Sequence, residues 1–481
     1  MFNLMLKKSL LLLPALFPAL AAFSQGHNIH LSLKPFANSQ VYLGYHYGKV
    51  KAVADSITLN ANAEGDFKGK ESLQEGVYFI VSPQKEILFE LLIGRQQHFS
   101  VSADTSRLPQ SIVFTGSPEN KTFQEYTVFM NSHGREIAGL QGRLSHSGSK
   151  KDSAAIREEL RKENELVRTY REQVEKKDSG SLLSTLLLAM REPVVPPATT
   201  AAEKADKNYA YRYYKDHYWD NVSFTDDRLI RTPVFEPKLD RYFKDLVSPD
   251  PDSINREIDH MLLYSRTNKE MFKYLLVHFV QKYVNPDYMG QDAVFVHLFE
   301  KYINTGQAEF FTEKYRKFVD DRAYSLMANL IGQPAPELTM TDTLGKVKTL
   351  YEVNADFVVI CFWDPTCSHC KETVPKLDSI YQAKWKGEGV KLMGVMVDGG
   401  KDNWIKFIED HNLKDWIHVY QTTAQHDADA SAGRPDYRQL YDVYQTPILY
   451  LLDKSKRIVA KKLTYQQLDE VLNLKLKKAN S

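Results

Sequence analysis

Two of the three cysteines in this 481-residue chain lie in the stretch FWDPTCSHCKETVP, Phe362 to Pro375, with only a serine and a histidine between them. A pair at this spacing suits a redox couple, part of a metal clip, or two thiols buried in a core. Zinc asks for four ligands, and beyond the pair only His369, His411 and His418 lie nearby in sequence. A structural pair is badly placed where a strand turns into a helix. A peroxidase built on one reactive cysteine is a poor match to a second thiol two residues on. The redox couple is the favoured reading.

Its chemistry follows from position. Cys367 falls where a strand passes into a helix, so unpaired backbone N–H groups and the helix dipole favour the thiolate, the attacking species. Cys370, one turn on and deeper, reaches the same sulfur. Cys367 is therefore the expected nucleophile and Cys370 the resolving thiol. His369 among those N–H groups is expected to stabilise the thiolate further, particularly when protonated. Stabilising the reduced form raises the potential, so the couple is expected to be more oxidising than one with an uncharged dipeptide between its cysteines.

The elements that must hold this motif are legible around it. DFVVICFW reads as a buried strand, followed by a helix to about Trp385 with Val374, Leu377 and Tyr381 on one face. VKLMGVMVD is a second buried strand, NWIKFIEDH a helix and WIHVYQ a short strand. A short helix from Tyr437 to Tyr444, TPILYLLD, a turn at Lys454 to Lys456, RIVAKKL and a helix from about Tyr465 complete the series. Ahead of it, GQPAPELTMTDTLGKVKTLYEV reads as a lead-in loop and a hairpin turning at Leu344 to Lys346. Alternating strands and helices followed by a hairpin and a closing helix argue a mixed α/β sheet covered on both faces.

FWDPTCSHCKETVP, the Thr446-Pro447 of YQTPILYLLD and the GQPAPELTMTD lead-in together resemble the exported thioredoxin-like proteins of the TlpA/ResA class, over about Gly332 to Ser481. The resemblance implies Cys367 as nucleophile, Cys370 as resolving cysteine, Pro375 as the helix-kinking proline and Pro447 as the cis-proline facing the disulfide. It leaves the backbone of Thr446 free to pair with an incoming peptide. Two positions depart from the pattern. Cys361 stands where such domains often carry a buried aspartate that takes a proton from the resolving thiol, and Thr366 replaces a tryptophan just before the nucleophile. Cys361 reads as a small core residue, with a third redox sulfur as the alternative. Glu372 and Asp364 are the candidates for the missing acid or base, and Trp363 is counted with the supporting residues.

The rest of the chain is different in texture. In residues 1–24, Lys7 and Lys8 precede SLLLLPALFPALAA, which is too short to span a bilayer and reads as a secretory signal cleaved near Ala22 or Gln25. The first cysteine is Cys361, so no lipid-attachment cysteine follows that run, and the mature protein is expected to be soluble in an extracytoplasmic space, most simply the periplasm, where disulfides persist. Residues 25–116 alternate with period two and read as an antiparallel β module, in which His27, His30, His46 and His98 share no metal-ligand spacing. Residues 117–330 read as an all-α region: Ser117-Pro118-Glu119 opens a helix, and KKDSAAIREELRKENELVRTYREQVEKKD is a long solvated one, with Glu163 breaking its apolar seam. Glu192 to Lys207 reads as a linker, and the aromatic run from Tyr209 to Trp219 as a helix burying its rings, with ligand stacking as the sharper alternative. These upstream parts resemble modules of unknown function that precede such thioredoxin domains. Residues 331–481 are the α/β thioredoxin-like domain.

With 62 basic and 61 acidic side chains, no global field draws the chain to nucleic acid. The expected activity is extracytoplasmic thiol–disulfide exchange with protein thiols and disulfides through Cys367-Ser368-His369-Cys370, without a cofactor, recharged by an envelope redox partner. The alternative is a binding or scaffold protein whose upstream modules engage a partner and whose thioredoxin-like domain is a recognition module.

Overall fold

The computed structural model describes residues 26–147 and 149–479, so the secretory-signal reading lies outside the described residues. The chain divides into two compact units, one running to Ser223 and including Asp227–Leu239, the other comprising Phe224–Asp226 and the chain from Asp240 on. Among the described residues, no helix is long and apolar enough to cross a membrane.

The first unit begins with strands β1 (His27–Lys34), β2 (Gln40–Tyr47), β3 (Val50–Thr58), β4 (Glu64–Gly69), β5 (Gly76–Val81), β6 (Ile87–Ile93), β7 (His98–Asp104) and β8 (Val113–Thr115). They form two four-stranded sheets, ordered β4-β1-β7-β8 and β3-β2-β5-β6. Alternation puts Ile29, Leu31 and Leu33 of β1 and Val41 and Leu43 of β2 into one shared core with Tyr78 and Ile80 of β5. All six residues of β5 are buried, because its other face carries Val77 into a second cluster with Leu92, Phe123 and Leu183. Every pairing in these sheets is antiparallel except β1 with β7, which is parallel. A parallel pair needs a long crossover, and here the whole second sheet lies between the two strands in sequence.

Helices α1 (Pro118–Ser145) and α2 (Lys150–Lys177) follow. Ser117 caps α1 by accepting from the Asn120 N–H, with Pro118 in the first turn. The two helices run antiparallel, as the bonds His133–Glu163, Arg171–Tyr126 and Lys177–Thr122 show. Glu163 thus interrupts the apolar seam of α2 in order to meet His133 at 2.8 Å. Beyond them lie α3 (Leu182–Ala189), α4 (Ala201–Ala205), α5 (Tyr209–Asp216) and α6 (Phe235–Arg241). No residue of α5 is buried, whereas Tyr218 just beyond it is. Within the run Tyr213 meets His217 at 4.1 Å, while Trp219 meets Phe235 at 6.5 Å and the Tyr218 hydroxyl donates to the Lys238 carbonyl at 3.0 Å.

The second unit contains α7 (Pro251–Ser265), α8 (Lys269–Tyr283), α9 (Asp292–Leu298) and α10 (Glu313–Met327). It continues through β9 (Thr339–Asp342), β10 (Val347–Thr349), β11 (Phe357–Trp363), α11 (Ser368–Ala383), β12 (Val390–Met396), α12 (Lys401–Asp410) and β13 (Ile417–Tyr420). Then come α13 (Thr423–Ser431), α14 (Tyr437–Leu440), β14 (Ile448–Asp453), β15 (Ile458–Lys461) and α15 (Tyr465–Ala479). The seven strands form one mixed sheet, β10-β9-β13-β12-β11-β14-β15. β11 lies inside it, parallel to β12 and antiparallel to β14. Its near-continuous apolar run is explained by two covered faces: Val359, Cys361 and Trp363 pack under α11, α12 and α15, while Val358, Ile360 and Phe362 pack on the opposite side with Tyr437 and Tyr441. The change of texture at residue 331 falls inside this compact unit.

Candidate active site

The C-terminal end of β11 delivers the motif. After Trp363 the chain turns through Asp364-Pro365-Thr366, and Asp364 fixes that turn by accepting from both the backbone N–H and the hydroxyl of Thr366 at 2.7 Å. Cys367 follows as the N-cap residue of α11, in an extended conformation. Cys370 is fully buried and Cys367 half-buried, and both are free thiols.

Their surroundings separate the two sulfurs. The Cys370 backbone N–H bonds to Cys367 and holds its thiol below the ordinary value; partial burial opposes this, while the Thr446 side chain, the Cys370 thiol and the His369 backbone N–H assist it. The Thr446 carbonyl also lies 3.7 Å from Cys367 Sγ, as an acceptor for the thiol. Cys370 is pushed up to about 11, chiefly by burial. The Asp364 backbone N–H donates to its Sγ at 3.4 Å and offsets part of that cost. An accessible sulfur disposed to ionise therefore sits one helical turn from a sealed one that holds its proton.

The structure places the supporting residues as follows. The Thr446–Pro447 peptide is cis, and Pro447 is half-buried. Pro375 lies inside α11, where its missing N–H removes one helical hydrogen bond. Trp363 is fully buried beneath α11 and packs on Phe407 at 5.1 Å. His369 and Glu372 are exposed on α11, and what His369 brings to Cys367 is its backbone N–H. Asp364 is engaged with Thr366, and no pairing brings Glu372 to either sulfur among the described contacts. Cys361 is fully buried in the same cluster as Cys370, and burial holds its thiol well above the ordinary value. His411 and His418 are engaged elsewhere: His411 packs on Phe407 at 4.2 Å, and His418 Nε2 bonds to the Leu413 carbonyl at 2.7 Å.

One part of the site had no sequence signal. A cavity of about 740 Å³ opens beside Pro447, and α10 supplies part of its wall through Phe318, Asp321 and Arg322. Nothing in the spacing of α10 residues announces that they meet a loop more than a hundred positions later.

The chain is similar in sequence to known families and proteins. Residues 331–461 match the family described as AhpC/TSA family, and residues 155–323 match the family described as Domain of unknown function (DUF5106). A relative named thiol-disulfide oxidoreductase ResA, from Bacillus cereus (strain ZK / E33L), is 26% identical over 131 residues, covering 27% of this chain and 68% of its own. A second of the same name, from Geobacillus thermodenitrificans (strain NG80-2), is 26% identical over 168 residues, covering 34% of this chain and 82% of its own. Among solved structures, a domain of a possible thiol-disulfide isomerase from Cytophaga hutchinsonii ATCC 33406 is 34% identical, covers 31% of this chain and 96% of its own, and has a TM-score of 0.27.

Proposed function

We propose that the AhpC/TSA thioredoxin-like domain, from residue 331 on, works as an extracytoplasmic thiol–disulfide oxidoreductase acting on protein disulfides through Cys367 and Cys370. The observation that carries this is the contrast between the sulfurs, Cys367 accessible and disposed to ionise, Cys370 buried and protonated. Cys367 thiolate attacks a client disulfide R–S–S–R′, forming Cys367–S–S–R and releasing R′–S⁻, which takes up a proton. Cys370 then attacks Cys367 Sγ, its proton passing to the departing R–S⁻. The client gains two electrons and two protons, and a Cys367–Cys370 disulfide remains. A dithiol donor in the envelope returns the couple to its reduced form. The same steps reversed insert a disulfide, and the relative potentials of couple and client set the direction. The leader-like residues 1–24 support an extracytoplasmic setting, where client disulfides persist.

The test is a disulfide-reduction assay on the full chain with Cys367→Ser and Cys370→Ser. Loss of turnover in both, with Cys370→Ser accumulating mixed disulfides identifiable by mass spectrometry, is the expected result. Turnover that survives Cys367→Ser sinks the reading.

A further inference from the structure

The cavity beside Pro447 is large enough for a big side chain and is largely apolar where it is open. Tyr444 precedes the Thr446–Pro447 loop and is 73% exposed; Phe318 of α10 is 48% exposed; Leu463 and Tyr465 close the side toward α15. Two partly exposed aromatic rings thus stand at the rim of a cavity that Pro447 also lines, an apolar surface suited to being covered in use. The wall is rigid, because the buried carboxylate of Asp442 is shared by Arg322 of α10 and Lys462 beyond β15. Burial raises the cost of that charge, but the two cations outweigh it and hold Asp442 ionised. Arg322 also reaches the Asn285 side chain at 3.3 Å, so α10 is braced on both sides.

Position dictates the occupant. A chain whose sulfur meets Cys367 must pass Thr446, which touches Cys367 Sγ, and then Pro447, which lines the cavity. An extended segment advances about 3.3 Å per residue with side chains alternating in direction, so a residue one or two positions from the client cysteine arrives at the opening. Resting on the thiol–disulfide reading above, we propose that this cavity binds a large apolar or aromatic side chain flanking the client's cysteine, and that α10 therefore helps choose the client. Phe318, Asp321 and Arg322 lie within the residues matched to the domain of unknown function, which gives the end of that segment a role in recognition.

The experiment compares two disulfide-bonded peptides identical except for tryptophan or serine two residues from the cysteine, together with a small disulfide lacking flanking residues. With the full-length wild type, kcat/KM is expected to favour the tryptophan peptide by on the order of tenfold. Phe318→Ala and, separately, Tyr444→Ala are expected to reduce that ratio severalfold; both side chains are exposed, so the fold tolerates the change. Equal kcat/KM for the two peptides in the wild type, or a ratio unmoved by both variants, overturns the cavity's role while reduction of the small disulfide leaves the oxidoreductase reading standing. If the wild type reduces none of the three, the oxidoreductase reading itself fails and the inference with it. A dimer in sedimentation that Phe318→Ala dissolves assigns the rim to a second copy of this chain and also overturns the proposal.

Discussion

At the scale of single residues, Cys367 and Cys370 share their chemistry and differ only in surroundings, so their pH behaviour must diverge. Backbone N–H groups at the start of α11 favour Cys367 as thiolate, whereas burial keeps Cys370 protonated to about pH 11. In the reduced protein, alkylation by iodoacetamide should therefore reach Cys367 first, with a rate that climbs and levels off at a lower pH than the ordinary cysteine value of about 8.5. Cys370 and Cys361 should stay unlabelled through that range. Peptide mapping by mass spectrometry across pH 5 to 10 measures this directly, and equal labelling of Cys367 and Cys370 near neutrality contradicts it. That Cys370 lies deeper than Cys367 was legible in their spacing, because Cys367 caps the helix start and Cys370 lies a turn further in. What His369 does was less legible. A motif reveals which residue adjoins the sulfur, not which of its groups faces it, and here the group that reaches Cys367 is the backbone N–H.

At the scale of elements, the sheet under α11 was readable where burial on two faces produces long apolar runs, as in β11, β12 and β14. The helix α13 gave no such signal. Its residues Thr423–Ser431 contain no buried side chain, and the only local mark is the capping box of Thr422 and Gln425. The third strand of the row also hid a feature. His418 on β13 stands opposite Gly394 on β12, where an added Cβ would lie 3.1 Å from His418 Nδ1 and 3.2 Å from Trp363 Nε1. The ring stacks against Trp416, and burial drives its pKa down to about 4, outweighing the bond to Leu413 that acts the other way. Because the folded value lies below the unfolded value of about 6.5, the unfolded chain takes the proton first as pH falls. The contribution to stability is thus fully present above about pH 6.5 and is lost as pH falls toward 4, a difference of at most about 3 kcal/mol. Urea unfolding at pH 7 and pH 4.5 should show this loss in the wild type and a smaller one in His418→Phe. Parallel pH dependences for the two proteins would remove His418 as the cause.

At the scale of the whole molecule, the texture change at residue 331 was plain in the sequence, but the packing of the preceding helices with the sheet was not, since the groups that join them lie far apart in the chain. Lys461 at the end of β15 and Asp292 at the start of α9 are 169 positions apart, yet they form an ion pair in which the side chains are only 4% and 6% exposed. The same ammonium donates to the carbonyl and side-chain oxygens of Asn329, and the Lys461 N–H bonds to Met289 Sδ at 3.4 Å. β15 is an edge strand; Met289 takes its Lys461 N–H, while Gln333 and Gly332 pair with the N–H and carbonyl of Ile458. Burial lowers the pKa of Lys461, and the charge and hydrogen bond of Asp292 oppose that shift. Taking one partner away leaves the other charge buried and uncompensated, which typically costs about 3–5 kcal/mol, whereas replacing both by apolar groups of similar volume is often neutral. Asp292→Ala should accordingly lower the melting temperature of the second unit by on the order of 10 °C. Lys461→Met combined with Asp292→Leu should recover most of that loss. Four of the five tryptophans, Trp363, Trp385, Trp404 and Trp416, are buried in the core of the sheet's domain, so fluorescence is weighted toward the sheet, with Trp219 in the first unit as the fifth, while far-ultraviolet circular dichroism also reports the helices. If the helices and the sheet fold as one cooperative body, both probes should shift together in Asp292→Ala. A double variant no more stable than the single one would mean that the ion pair contributes through its own attraction rather than by avoiding an unpaired buried charge.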